Sequence, residues 1–361
     1  MNDANGLISF IASMSGEGNL RVEENLGEGY VRLRVSEAER RQAKHDIQHV
    51  EDIVIEMLRN ARDAGADKVY LATTKEDGVR TLVFLDNGSG VPQDMQERIF
   101  DARVTSKLES MKLDRWGVHG RGMALFSIKQ NTDEARVVAS DVDLGSVFKV
   151  SVATDRLGER ADQSSWPQAV KDEDGHYVCA RGPHNIIRAA CEFALEELRA
   201  CDVYLGSPSE IAATLHAQAS SRLDASRLLF IDDDAELPVV DRLGLASDAE
   251  DFIRICSGLG LEMSERTAHR ILAGQIKPVR GVTARLLRER DSSSHASAPV
   301  DLAKDRRGLR IAKDDMAQFS RAVERDFNDL ASRYYLNLCG DPKIRVSRDR
   351  ITVTFDLAKE E

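Results

Sequence analysis

Residues 36–66 read SEAERRQAKHDIQHVEDIVIEMLRNARDAGA. Within them Ile47, Val50, Ile53, Val54, Met57, Leu58 and Ala61 recur at helical spacing, Ser36 stands where a cap belongs, and Gly65 stands where a helix ends. The spacing predicts one strongly amphipathic helix. Glu56 and Asn60 lie four residues apart on it, with Asp63 following. Positions four apart share a helix face, about 6 Å apart along the axis. A carboxylate and a carboxamide aimed into the same space suit a general base beside an oxygen ligand for Mg2+. The motif alone is equally a solvated polar face.

Outward from this helix the chain alternates strands and loops. Residues 20–35 read as two short strands around Gly27-Glu28-Gly29, and KVYLATT and VRTLVFLD flank Glu76-Asp77-Gly78, a hairpin signal. Asp86-Asn87-Gly88-Ser89-Gly90 follows the second of these strands directly. A carboxylate at a strand end can accept a hydrogen bond from an exocyclic amine such as that of adenine. The glycines let the backbone turn tightly and approach a flat ring. Alone, the motif also reads as a plain turn. Gly117-Val118-His119-Gly120-Arg121-Gly122-Met123 then runs into a short helix, MALFSIKQ, and is followed by the strands ARVVASD and SVFKVSVAT. Glycines before a helix N-terminus expose N–H groups that suit phosphate. No Gly-Lys-Ser/Thr follows them, and no strand immediately precedes them. Together the three motifs fall in one order, with gaps of 26 residues (60 to 86) and 27 residues (90 to 117), each on the element its chemistry wants. That combination points to a nucleotide site.

The arrangement resembles the GHKL ATPases: gyrase B, the heat-shock chaperones of that superfamily, the histidine kinases and MutL, with the ATP-binding part of topoisomerase VI close by. EMLRNARDAGA looks like their N-box, DNGSGVP like the G1 box and GVHGRGMALFSIK like the G2 box. Phe100 to Lys107 looks like the Thr-Ser-Lys lid segment of MutL and some histidine kinases, and Gly145-Ser146 stands where the family often has Gly-Thr. The resemblance covers about residues 20–155. It implies an α+β protein whose N-terminal part is a Bergerat-type α/β sandwich, with helices on one face of a mixed, mostly antiparallel sheet. A mostly helical C-terminal region with a small terminal strand pair would follow. It also implies ATP and Mg2+ as ligands. Glu56 would orient or deprotonate the attacking water, Asn60 would hold Mg2+ against the phosphates, and Asp86 would read adenine in a pocket shaped by Gly88 and Gly90. Lys107 and the amides of Gly120, Arg121 and Gly122 would face the triphosphate. Asp63, Thr105, Gly117, Met123 and Ser146, the last as a phosphate contact, complete the implied binding set.

Histidine kinases of this superfamily usually lack a glutamate at the position of Glu56, so the carboxylate favours hydrolysis, or a serine-kinase arrangement like that of certain anti-sigma factors. His45 and His49 lie within 11 residues of Glu56, too near to be presented to the same site from a separate dimerisation helix. The expectation is a slow ATPase whose lid closure drives a conformational switch; the alternative is a signalling kinase or anti-sigma-like module acting on a protein partner. A nucleotide-dependent homodimer follows by analogy.

Composition bounds the rest. The 361 residues suggest two or three domains, and 42% hydrophobic with 31% charged is a soluble globular balance. A net charge of −11 argues against coating nucleic acid or anionic membrane with the whole surface. The five cysteines are odd in number and include no CxxC, which predicts buried thiols in a reducing compartment rather than zinc or disulfides. No basic leader and no apolar run of about 20 residues is present, so the expected location is cytoplasmic, with no membrane partner.

The expected organisation is an ATP-binding domain over 1–155, a linker or excursion over 156–185, and a helical region over 186–290. A flexible joint over 291–300 and a C-terminal helix and strand pair over 301–361 would follow. Residues 246–276 resemble a helix-turn-helix, with Gly258 and Gly260 ending one helix and Ser264 capping the next. Between Ser264 and Lys313 stand 12 Lys/Arg against 5 Asp/Glu. This makes DNA a candidate partner, with Arg266, Arg270, Lys277 and Arg280 as candidate contacts. The bland alternative is a helical hairpin with a solvated basic face. Gln275-Ile276-Lys277 is also loosely similar to the loop with which transducer domains reach the γ-phosphate.

Overall fold

The computed structural model describes residues 22–106, 112–119, 122–160, 162–198, 200–223, 231, 233–287 and shorter stretches between 316 and 359. The chain divides into two compact units, Met1–Asp291 and Ser292–Glu361.

The first unit is built on a five-stranded sheet. In chain order the early strands are β1 (Val22–Gly27), β2 (Tyr30–Leu33), β3 (Lys68–Glu76), β4 (Val79–Asp86) and β5 (Val104–Thr105). Then come β6 (Lys112–Asp114), β7 (Gly117–His119), β8 (Glu134–Ser140), β9 (Ser146–Ala153), β10 (Gln168–Lys171), β11 (Tyr177–Arg181) and β12 (Asp202–Gly206). The main sheet runs β12-β3-β4-β9-β8; only the β12–β3 pair is parallel. β3 and β4 close over Asp77 and Gly78, both at positive φ (49° and 79°), the two-residue turn that the hairpin signal predicts. β1, β2 and β5 form a separate three-stranded sheet, and β6–β7 and β10–β11 are hairpins.

The helices are α1 (Glu37–Asp46), α2 (Val50–Asp63), α3 (Ala124–Asn131), α4 (Ile186–Glu196), α5 (Pro208–Arg222), α6 (Ala249–Gly258) and α7 (Glu265–Leu272). The single helix expected over 36–65 is two. Ser36 caps α1 through a capping box with Glu39. Downstream the Asp52 carboxylate accepts from the N–H groups of Gln48 and His49, each at 2.9 Å, and starts a new helix there. Ile47, in the break, turns into the core at 3% exposure.

The sheet is covered on both faces. Along β4, Leu82 and Phe84 face one layer with α2 and α4, while Val83 and Leu85 face a second layer with α5, α6 and α7. Side chains of a strand alternate between faces, so a run in which all four are buried requires two covers. The helices of the N-terminal stretch lie on the first face, as the family resemblance implies; those of 208–272 cover the second. β12, which no strand signal marked, extends the sheet beside β3 in register Val203↔Val69. Within 156–185 lies the β10–β11 hairpin, fastened to α4 by Arg188, whose Nη2 donates to the Cys179 carbonyl at 2.9 Å.

In the second unit, β13 (Leu336–Leu338) pairs with β16 (Leu357–Lys359) and β14 (Lys343–Val346) with β15 (Ile351–Thr354), both antiparallel. The strand pair expected from KIRVSR and ITVTFDL is the second of these. The expected joint at 291–300 and most of the helix expected near 314–335 lie outside the described residues.

Four cysteines are buried and Cys339 is exposed. Burial pushes the Cys179 thiol up to about 11 and those of Cys201 and Cys256 up to about 12, so they carry no thiolate at neutral pH. Iodoacetamide on the native protein should therefore modify one thiol rapidly, Cys339, and the other four only after denaturation. Peptide mapping that found rapid labelling at Cys201 or Cys256 would contradict this packing.

Candidate functional site

Strand parity builds the site from below. Asp86 is two residues beyond Phe84 and shares its face, and Ser146, opposite Asp86 in register, shares the face of Phe148. From above, α2 buries Ile53, Val54, Met57, Leu58 and Ala61 against the core. Glu56 and Asn60, on its remaining face, open into one cavity of about 450 Å3. Asp86 and Ser146 line the same cavity, as do Asp63, Gly90, Thr105, Gly122 and Met123.

Close backbone approach shapes the floor. The Asp86 carboxylate, 4% exposed, accepts from the Gly88 N–H at 2.8 Å. At Gly90, φ is +71° and a Cβ would sit 1.8 Å from the Asp141 carbonyl oxygen; at Gly145, φ is +77° and a Cβ would sit 2.2 Å from that of Asp86. Neither position admits a side chain. Asn87 belongs to the scaffold: its Oδ1 accepts from the N–H groups of Asp67 and Lys68 at 3.1 and 2.9 Å, tying the loop to the start of β3.

Charge inside the wall is organised by two arginines that sequence reasoning passed over. Arg59, 3% exposed, donates from Nη1 to Glu56 Oε1 at 2.6 Å, and from Nε and Nη2 to both Asp114 oxygens at 2.9 and 3.0 Å. Arg62 donates to Asp63 at 3.0 Å, to Asp114 at 3.1 Å and to Glu197 at 3.2 Å. Burial opposes the Arg62 charge, but these hydrogen bonds and carboxylates outweigh it and hold its pKa above the ordinary value. The signal was available, since two arginines three apart interrupt the apolar helix on either side of Asn60. At the rim, Arg103 bonds to Glu39 while its own backbone stands at φ +63°. Burial alone would raise the Glu39 carboxyl, but hydrogen bonds from the Ser36 N–H, Arg103 and the Ser36 hydroxyl hold it below the usual range.

Asn60 provides the test of a divalent cation. Its Nδ2 is buried without a hydrogen-bond partner, and amide orientation is assigned from such partners, so the carboxamide is free to turn its oxygen into the cavity. Oxygen donors from a carboxamide and carboxylates are the set that Mg2+ accepts.

Of the other residues singled out in the sequence, Lys107, Gly120 and Arg121 lie outside the described residues. Gly117 pairs with Asp114 in the β6–β7 hairpin. Ser146 sits beside Asp86 at the strand ends, bonded at 3.2 Å to Ser140, whose hydroxyl also receives the Val91 N–H at 2.8 Å. Lys277 follows α7 on the sheet face opposite the cavity, which separates it from the site and removes the transducer-like role.

That second face carries the helix-turn-helix-like pair. α6 ends at Gly258, Gly260 takes φ +68°, and Ser264 caps α7 by accepting from the Thr267 N–H. Phe252, Ile255, Ala268 and Ile271 pin both helices to the sheet. Arg266, Arg270, Lys277 and Arg280 are exposed. Glu262 and Glu265 are exposed among them.

Residues 47–140 match the family described as histidine kinase-, DNA gyrase B- and HSP90-like ATPase. Over this segment the chain is similar to the GHKL-type ATPase domain. Over 136 residues the chain is 28% identical to the DNA mismatch repair protein MutL of Staphylococcus aureus strains Newman, JH1 and Mu3, which covers 35% of this chain and 20% of each relative. The chain thus spans about a fifth of the length of these relatives. No described helix is long and apolar enough to cross a membrane.

Asp114 holds two buried guanidinium groups, and removing one member of such a network leaves charge uncompensated at about 3–5 kcal/mol. Asp114→Ala should lower unfolding stability by that amount in urea titration. A loss below about 1 kcal/mol, the range of exposed pairs, would show that the network is solvated.

Proposed function

We propose that this chain binds Mg-ATP in the cavity under α2 and hydrolyses it slowly, and that ATP binding drives closure of the lid expected from the sequence at 100–107. The observation that carries the reading is convergence. Glu56 and Asn60 from a helix, Asp86 from a strand end and Gly122 before another helix meet in one cavity, inside the segment that matches an ATPase family.

Asp86 accepts a hydrogen bond from the exocyclic amine of adenine, on a floor that Gly90 and Gly145 keep free of side chains. Ser146, its neighbour in register, belongs to this base end rather than to the phosphate end. The triphosphate extends toward Asn60, Gly122 and the start of α3, where first-turn N–H groups and the helix dipole favour anions. Asn60 would hold Mg2+ there, and the ion would neutralise charge on the phosphate oxygens. Glu56 orients a water and accepts its proton as the water oxygen bonds to the γ-phosphorus. The bond from that phosphorus to the β–γ bridging oxygen breaks, and ADP leaves with the electron pair.

The similarity to mismatch repair proteins and the exposed arginines of α7 support a second element of the reading, coupling to DNA. Arg266 and Arg270 stand four apart, on one exposed helix face, as phosphate contacts do.

Phosphate release should be measured for the wild type and Glu56→Ala, with ATP binding followed in parallel. Glu56→Ala should bind ATP with unchanged Kd while kcat falls by about 10²–10⁴-fold. Asp86→Asn should weaken ATP binding by about 10–100-fold, the effect of one buried charged hydrogen bond. DNA should raise wild-type turnover, and the double change Arg266→Ala, Arg270→Ala should remove that rise alone. Binding without phosphate release, or transfer of labelled γ-phosphate to a protein, would overturn the hydrolytic reading in favour of a kinase-like or regulatory one.

A further inference from the structure

Arg59 joins the helix that carries Glu56 to a hairpin more than fifty residues downstream. One side of its guanidinium reaches Glu56 at 2.6 Å; the other grips Asp114 at 2.9 and 3.0 Å. Asp114 ends β6, in a hairpin that follows Thr105 and precedes Gly122 in the chain, and both of these line the cavity. Trp116, at the turn of the same hairpin, also lines the cavity, and its backbone N–H donates to Asp114 Oδ1 at 3.0 Å. The hairpin that holds Asp114 is therefore part of the cavity wall.

The geometry points to Arg59 as a positioning residue for Glu56, steered through Asp114 by the seating of the 112–119 hairpin. This rests on the hydrolytic role of Glu56 and deepens it. The carboxylate is held by a guanidinium that is itself clamped in a bidentate fork, an arrangement only arginine supplies, since lysine offers a single ammonium. Arg59 is 3% exposed, so it has no access to solvent as a substitute partner. A shift of the hairpin moves Asp114, Asp114 moves the fork, and the fork moves the Glu56 oxygen that must face water. Hydrolysis is thereby made conditional on a seated hairpin, while the base-reading end at Asp86 is left untouched.

The experiment separates positioning from plain stabilisation. Arg59→Met removes the fork but leaves Asp114 its bond to Arg62, so the unit retains its anchor. Arg59→Lys keeps a buried charge beside Asp114 but offers a single ammonium in place of the fork, and leaves Asp114 to Arg62 and the Trp116 N–H. ATP Kd, kcat, KM and the urea midpoint are read for the wild type and both variants. The expected result is that Arg59→Met lowers kcat by about a hundredfold, the scale of a misplacement of about 1 Å, with Kd and KM unchanged. Arg59→Lys should hold its urea midpoint closer to that of the wild type and remain slow. Recovery of kcat together with stability, or an Arg59→Met enzyme with wild-type kcat, would overturn the positioning role. A wild type that binds ATP and releases no phosphate overturns the hydrolytic reading itself, and this inference with it.

Discussion

A central strand buried on both faces is the constraint from which the first unit follows. Leu82, Val83, Phe84 and Leu85 are each at most 2% exposed, and alternation sends them to two different layers. Each such side chain contributes about 1.5–3 kcal/mol of burial, so neither layer is optional. A register slip of one residue would exchange the two sets and also turn Asp86 away from the cavity. The position of the Asp86 carboxylate is thus dictated by the packing of the three residues before it and by the eight-residue ladder with β9.

The cavity is hydrophobic in its foundations and ionic in its wall. Buried ion pairs are poor sources of stability, because desolvation offsets most of the Coulomb attraction. What they provide is direction: a fork fixed on two oxygens of Asp114 leaves the third contact, to Glu56, little angular freedom. The floor uses a different device. Gly90 and Gly145 bring carbonyl oxygens to distances at which no side chain fits, so the loop after β4 and the turn before β9 are locked together by shape rather than by charge.

Much of this was legible in the residues. The hairpin at Asp77-Gly78, the strand before Asp86 and the helix carrying Glu56 each have a local signature, and local signatures survive because short-range sterics decide them. The break at residues 47–49 was hidden because apolar periodicity continues across it; only the placement of Asp52 against two upstream N–H groups reveals a second start. β12 was missed because DVYLG is short and its pairing is parallel, with a partner more than a hundred residues away. The two-sided sheet was written in the uninterrupted LVFL run, which a one-sided sheet would not need. Ion pairs across the site, such as Arg59 with Asp114, join residues 55 positions apart and leave no local trace.

The family match stops at residue 140, yet the sheet it describes is not finished there. Beyond that point the chain still has to supply β9, the β12 edge and three helices over Tyr70, Val83, Leu85 and Val147. A fragment ending near residue 155 would keep every motif of the cavity and expose an unpaired β3 edge beside a bare apolar face, the combination that seeds sheet-to-sheet aggregation. For this chain the smallest excisable module is set by hydrophobic area, and its boundary lies far downstream of the last recognisable motif.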